Sequence, residues 1–323
     1  MLLKILKKIK KYGLLKVFIF SIKKIRRENE VRRLKKYGFK KKVDLKNFKT
    51  NINFFYSINE KEIFRNFYEN NSFLKLDVIK SADKIIKHKF DLLGSDEVEL
   101  EENIIWNKDF KSGFIWENKF YRDIKIIDLE NNADVKVPWE LSRFQHLFTL
   151  GKAYWITGNL KYFEEAKEQI LDWIEKNPIY YGVNWTCTMD VAIRAVNLIF
   201  FYFHFQDLIE EDKKFFEKFN ECLYQHGEYI YLNLEKSLEL ANNHYLSNLT
   251  GLIFLGIYFK NLKEKNSNKW LNFSLKEIEK EMFIQNNEDG TNYETSTSYH
   301  RLVIELMFYP TLLLKINGLK FSR

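Results

Sequence analysis

Apolar residues recur every three to four positions over most of the chain, which is the spacing of one face of a helix. From residue 60 onward the pattern predicts helices over 60–71, 76–88, 139–157, 161–176, 187–206, 210–232, 243–259, 268–285 and 298–315. Between 91 and 137 the period fades, and Trp106, Phe114, Trp116 and Phe120 are scattered without order. That stretch reads as a long irregular or partly extended segment. Helix, short connector, helix, repeated, predicts stacked antiparallel hairpins. No short repeat recurs strictly, which argues against a standard solenoid. Upstream, Leu2, Ile5, Leu6, Ile9 and Tyr12, then Leu15, Phe18, Ile19, Ile22 and Ile25, form another helical stripe with lysines between.

Composition sharpens this picture. Only 3 prolines and 12 glycines occur in 323 residues, too little turn chemistry for a β-sandwich of this length. Hydrophobic residues make up 46%, enough for a sizeable core and against wholesale disorder. No apolar run approaches the roughly 18 residues of a membrane span. Cys187 and Cys222 are too few for a disulfide framework, and a structural zinc site would need His or acidic help. They read as two buried small hydrophobes.

Charge is divided unevenly. Residues 1–50 hold nineteen Lys/Arg against Glu28, Glu30 and Asp44, a balance of +16. The whole chain is +8, so residues 51–323 sum to −8. The main domain is mildly acidic, and nucleic acid is not an expected partner. A secretory signal fits the start poorly: the apolar stretch Val17–Phe20 is short, Lys16 precedes it, and Arg26–Arg27 follows. A basic amphipathic helix fits better, and residues 1–30 are expected to meet an anionic membrane surface. The expected location is therefore cytoplasmic or membrane-peripheral. The organisation reads as a basic amphipathic segment, 1–50, followed by a helical domain, 51–323.

Three polar, aromatic-rich clusters interrupt the helices. In Val137-Pro138-Trp139-Glu140-Leu141-Ser142-Arg143, Pro138 suits a first helical turn, and Trp139, Glu140 and Arg143 share its neighbourhood. Residue type alone favours a Trp staple with a Glu140–Arg143 surface pair. In Tyr181 to Asp190, Asn184 and Trp185 form the kind of loop that stacks on sugar rings, while Asp190 and Arg194 have ion-pair spacing. A capped helix start explains that stretch equally well. The third cluster has two halves. Asn242-Asn243-His244-Tyr245 opens an apolar helix, and one asparagine is accounted for as its cap. Some 45 residues on, Asp289-Gly290 marks a turn, Glu294 follows, and Ser296, Thr297 or Ser298 can cap a helix whose first turn holds Tyr299, His300 and Arg301. Asn, His, Tyr and Arg together supply donors for an anion and a phenol able to act as a base. No glycine-rich phosphate loop, HExxH motif or paired nucleophile stands out.

Taken together these stretches resemble the heparinase II/III family of polysaccharide lyases, in its N-terminal helical domain. The resemblance rests on His88-Lys89-Phe90-Asp91-Leu92-Leu93-Gly94, on Lys136 to Arg143, on Asn184-Trp185, on Asn242 to Tyr245 with Gly251, and on Asp289-Gly290 through Tyr299-His300. It spans roughly residues 80–315. Oligoalginate lyases share the architecture. The resemblance implies an all-α fold, an incomplete (α/α) toroid of antiparallel helical hairpins, cut short at its C-terminal end and without the family's β-sandwich domain. It implies β-elimination on an anionic, uronic-acid-containing polysaccharide or oligosaccharide. Tyr299, His244 and Asn243 would be catalytic, with Asn243 and His244 on the substrate carboxylate and Tyr299 as acid/base. Asn242, Trp139, Glu140, Arg143, Asn184, Trp185, Arg194, Glu294 and His300 would bind substrate. No metal ligand or cofactor is expected in this chain, since the metal of such enzymes sits in the β-sandwich. The family also offers a periplasmic location as the alternative.

The chemistry agrees. Removing a C5 proton beside a carboxylate adds a second negative charge, so donors aimed at that carboxylate stabilise the transition state. A glycoside hydrolase needs two carboxylates astride the bond instead, and Asp190, Glu140, Asp289 and Glu294 keep that alternative open. A non-catalytic carbohydrate-binding or surface-polysaccharide assembly protein, tethered by its basic segment, is the other.

Overall fold

The computed structural model describes residues 2–238, 241–263 and 265–321; for residues 2–6 it describes the backbone alone. The basic segment forms α1 (Leu2–Tyr12) and α2 (Leu14–Tyr37), parted by Gly13 at φ 83°. Then follow α3 (Lys61–Glu69), α4 (Ser72–Ile86), α5 (Lys136–Ser142), α6 (Leu147–Thr157), α7 (Lys161–Lys176), α8 (Thr188–His204) and α9 (Gln206–Glu211). The last four are α10 (Lys213–Leu232), α11 (Asn243–Tyr258), α12 (Lys265–Gln285) and α13 (Thr297–Ile316). Among the described residues the only strands are Lys89–Phe90 and Val98–Glu99, paired antiparallel. None of the described helices is long and apolar enough to cross a membrane.

The helices start where the sequence supplies caps. The Asp212 carboxylate accepts from the Phe215 amide (3.0 Å) ahead of α10, Asn242 from the His244 amide (3.2 Å) ahead of α11, and Ser296 from the Tyr299 amide (3.5 Å) ahead of α13. Each helix from α3 to α13 packs on at least one other, and α11 touches α8, α10, α12 and α13. Its burial explains its composition, since every residue from Tyr245 to Tyr258 is enclosed. The central crossing is tight. A Cβ on Gly251 would lie 2.9 Å from the Ala192 Cβ and 3.1 Å from its Cα, so only glycine lets α11 approach α8 this closely.

Three boundaries differ from expectation, the first being α4, which begins at Ser72 where the pattern predicts a start at 76. The single helix expected over 139–157 is α5 and α6, because Phe144 takes φ 60°. That strained turn puts its ring in the core, 5.4 Å from Trp106 and 5.9 Å from Trp173. No glycine or proline announces the break. The start of the helix expected over 210–232 is instead the end of the short α9, and Asp212 begins a new helix. The irregular stretch is ordered by side chains. Asp109 accepts from the Asp134 amide (3.0 Å) and the Ser112 hydroxyl (2.5 Å), and the Trp106 indole donates to Asp172 (2.7 Å).

In the basic segment, Val31, Leu34, Leu45 and Phe48 belong to the main hydrophobic core. Arg122 donates to Glu28 (2.7 Å), and Arg27 to Asn233 (3.2 Å). The first half of α2 differs: Leu14, Leu15, Phe18, Ile19 and Ile25 are exposed. The side chains of Leu2, Ile5 and Leu6, part of the expected stripe, lie outside the described residues.

Arg194, expected at the surface, is completely enclosed. Its guanidinium lies 4.3 Å from the Trp173 ring centroid and 5.3 Å from that of Trp185. It donates to His226 Nε2 (2.8 Å), the Asn184 carbonyl (3.1 Å) and, more weakly, the Ser142 carbonyl (3.5 Å). Arg194→Ala leaves these acceptors unpaired around a cavity and is expected to cost about 3 kcal/mol or more. Arg301→Ala, on an exposed surface pair with Glu305, should stay within about 0.5 kcal/mol. Urea denaturation of both variants checks this; equal costs would remove Arg194 from its anchoring role.

Candidate functional site

The close crossing at Ala192 and Gly251 brings together the beginnings of α8 and α11. Cys187 precedes α8 as its N-cap residue, and Asn243 and His244 open α11. The chain leaving α10 adds Glu235. Its carboxylate oxygen Oε1 is 3.1 Å from His244 Nδ1, and the Cys187 Sγ is 3.9 Å from each of these two atoms. Asn248 fixes Glu235 twice: its amide donates to Oε2 (3.0 Å), and its carbonyl oxygen accepts from the Glu235 backbone (2.8 Å). The hydrogen bond to Glu235 raises the His244 pKa above its ordinary value against the opposing effect of burial. Burial, with Asp190 and Glu235 nearby, pushes the Cys187 thiol far up.

The turn after α12 closes one side. The Asn243 amide donates to both oxygens of Glu294, at 2.9 and 3.1 Å. The Tyr293 hydroxyl donates to the Ala241 carbonyl (3.3 Å), and Asn292 to the Gln285 carbonyl (2.8 Å). Five residues past Glu294, Tyr299 stands in the first turn of α13, about half exposed. The Nδ1 of the adjacent His300 is buried and has no hydrogen-bond partner.

The end of α5 supplies a third group. Arg143 donates to Asp190 (2.6 Å) and to Glu140 (2.5 Å). Burial, helped by repulsion from Asp190, raises the Glu140 pKa against the pull of Arg143. Trp139 turns its indole inward, donating to the Val183 carbonyl (2.9 Å) and the Thr186 hydroxyl (3.1 Å). The expected exposed Glu140–Arg143 pair is thus a half-buried three-membered network.

The structure gathers Asn242, Asn243, His244 and Glu294 in one place, and ties Glu140, Arg143 and Asp190 to each other. It does not put Asn184, Trp185 or Arg194 on any approach: all three are fully buried. The Asn184 amide is used by the Trp106 carbonyl (2.8 Å) and Asn177 (2.9 Å), and the Trp185 indole by the Asn177 carbonyl (3.1 Å). A motif-like Asn-Trp pair says nothing about which way its groups face. Glu235 and Cys187 escaped sequence reasoning as site members because neither lies in a polar cluster with His244. The only signal was the rarity of cysteine.

A cleft of about 400 Å³ opens on Glu235, Asn242 and His244, with Arg27 and Lys236 on its walls. A larger cavity of about 630 Å³ lies among residues 101–107 and 175–182, and no residue expected to carry chemistry lines it. Of the two, only the smaller cleft is lined by residues expected to carry chemistry, Asn242 and His244. Its polar lining can neutralise an anion.

A family model described as Heparinase II/III N-terminus matches residues 31–321. A heparin-sulfate lyase of Bacteroides stercoris is 22% identical over 190 residues, covering 54% of this chain and 28% of that protein. A heparin-sulfate lyase of Pedobacter heparinus is 25% identical over 178 residues, covering 54% of this chain and 26% of its own. The chain therefore matches less than a third of either relative's length. A crystal structure of a heparan sulfate lyase from Pedobacter heparinus superposes with a TM-score of 0.58 at 19% identity, over 98% of this chain and 42% of that one. A heparinase III gene product gives 0.57 at 21% identity, over 75% and 36%. These likenesses establish the helical toroid fold.

Among the described residues, Glu294 is the one side chain tying the turn after α12 to Asn243. Glu294→Ala should speed amide hydrogen exchange across residues 286–296 while moving overall stability by about 1 kcal/mol or less. Unchanged exchange there would show that the turn holds itself.

Proposed function

Because the chain belongs to the heparinase II/III family, matching its N-terminal domain over residues 31–321, we propose that it forms the helical side of a lyase. Its substrate is a uronic-acid-containing anionic polysaccharide of the heparan sulfate class, the class named for the curated relatives. The observation that carries this reading is the Asn243–His244 pair at the start of α11. Glu294 and Glu235 hold the two side chains: Asn243 is buried beside Glu294, and His244 lines the cleft that also carries Arg27.

In this reading Asn243 and His244 hydrogen-bond the uronate carboxylate and stabilise the charge that grows on it as the C5 proton leaves. The Tyr299 phenolate takes that proton. The electron pair forms the C4–C5 double bond and expels the glycosidic oxygen, which takes a proton back from the Tyr299 hydroxyl. The carboxylate supply supports elimination over hydrolysis. Glu140 and Asp190 share Arg143, Glu294 is held by Asn243, and Asp289 accepts from Thr291 (2.7 Å), so none of these four carboxylates is without a partner.

Assayed in the natural protein, Tyr299→Phe should lower turnover by about two to four orders of magnitude with oligosaccharide affinity nearly unchanged. Asn243→Ala and His244→Ala should lower both. The product should carry an unsaturated uronate without oxygen from labelled water. A fully active Tyr299→Phe would move the base to Tyr293. Labelled oxygen in the product would restore the hydrolase reading. Binding without turnover in the natural protein would restore the non-catalytic one.

The exposed apolar positions of α2, interleaved with Lys16, Lys23 and Lys24, support an anionic membrane surface as a second partner. Deleting residues 1–24 spares the anchors Arg27 and Glu28. It should abolish sedimentation with anionic vesicles and leave the helical signal intact. For the intact chain, binding should weaken as salt rises. Equal vesicle binding by both proteins would sink this idea.

A further inference from the structure

We propose that Cys187, Glu235 and His244 form a binding site for one zinc-class divalent cation. The three are far apart in sequence, and the fold brings one ligand atom from each within 4.8 Å of the others. Zinc bonds run at about 2.3 Å to sulfur and about 2.0–2.2 Å to nitrogen and oxygen. Tetrahedral geometry on such bonds separates sulfur from nitrogen or oxygen by about 3.6 Å, and nitrogen from oxygen by about 3.4 Å. The observed edges are 3.9, 3.9 and 3.1 Å. All three sit within a few tenths of an ångström of one triangular face of that tetrahedron.

The surroundings meet the other requirements of a metal site. Asn248 holds Glu235 from behind through both its backbone and its far oxygen, aiming Oε1 at the other ligands. Asn242 fixes the His244 backbone. The cleft that opens on Glu235 and His244 gives an entry path and room for water as the fourth ligand. Of its two cations, Lys236 is paired with Glu277 and Glu281, and Arg27 is hydrogen-bonded to Asn233 and keeps its charge. A thiolate and a carboxylate together balance a double positive charge, and the ion itself displaces the proton that burial and the neighbouring carboxylates keep on the Cys187 thiol. On binding, the Cys187 thiol proton and any proton on His244 Nδ1 pass to solvent, and no oxidant or reductant is needed. Cys222 has no such company: its neighbour His226 is buried beside the Arg194 guanidinium.

A cation here would engage the imidazole that the lyase reading gives to the substrate, which makes the site an inhibitory one. The binding claim does not rest on that reading. The experiment titrates the full chain with Zn²⁺ by calorimetry, and with Cd²⁺ by ultraviolet absorption, without substrate. We expect one ion per chain and a cadmium–thiolate charge-transfer band. Cys187→Ser, which keeps the shape and a good capping residue, should lose the band and weaken Zn²⁺ binding on the order of 100-fold; Glu235→Gln should weaken it on the order of tenfold or more. Cys222→Ala should keep the band. No band in the unmodified protein, or a band that survives Cys187→Ser, overturns the proposal. Because no turnover is measured, failure here leaves the lyase reading standing, and the reverse holds as well.

Discussion

The fold is organised around a charged group in an apolar place. The Arg194 guanidinium is wholly buried, and among the described residues no carboxylate is hydrogen-bonded to it. Burial pulls its pKa down only to about 10, so it stays cationic at neutral pH. An isolated cation in a dry core would be prohibitive. Two tryptophan faces, two carbonyls and an imidazole make it tolerable. His226 can accept because its Nδ1 proton goes to the Cys222 carbonyl, 2.7 Å away, which leaves Nε2 bare. The contacts come from α5, α7, α8, α10 and the turn before α8. One side chain thus fixes how those elements meet, and Trp173 and Trp185 are large because they must cover it.

The candidate site is a consequence of that arrangement. With α8 placed by Arg194, Gly251 lets α11 lie against Ala192. The starts of the two helices then coincide, and a helix start is where unpaired amides and the dipole favour anions. The site therefore combines a rigid base with a softer cover. Its donors stand on two buried helices, while Tyr299 arrives on the far side of a turn held by a few hydrogen bonds. Tyr293 and Tyr299 on that cover are exposed. The middle of α2 borders the same cleft through Arg27, so the basic segment and the mildly acidic domain meet there.

What the sequence determined is what depends on local spacing. Helical period, scarce glycine and proline, and caps such as Asp212, Asn242 and Ser296 specified the helices and most of their limits, because each rests on residues within a few positions. The asparagine–histidine start of α11 and the turn leading to Tyr299 were legible for the same reason. What only the tertiary structure decided is the direction each polar group faces. Asn184, Trp185 and Arg194 read as surface chemistry, yet they are core, since a buried polar group keeps its residue type and changes only its partners. Phe144 breaks a helix because the pocket beside Trp106 and Trp173 compensates a strained turn that no local signal marks. The meeting of Cys187, Glu235 and His244 depends on how closely two helices cross. That distance is set by a missing methyl group at Gly251, and spacing along the chain carries no record of it.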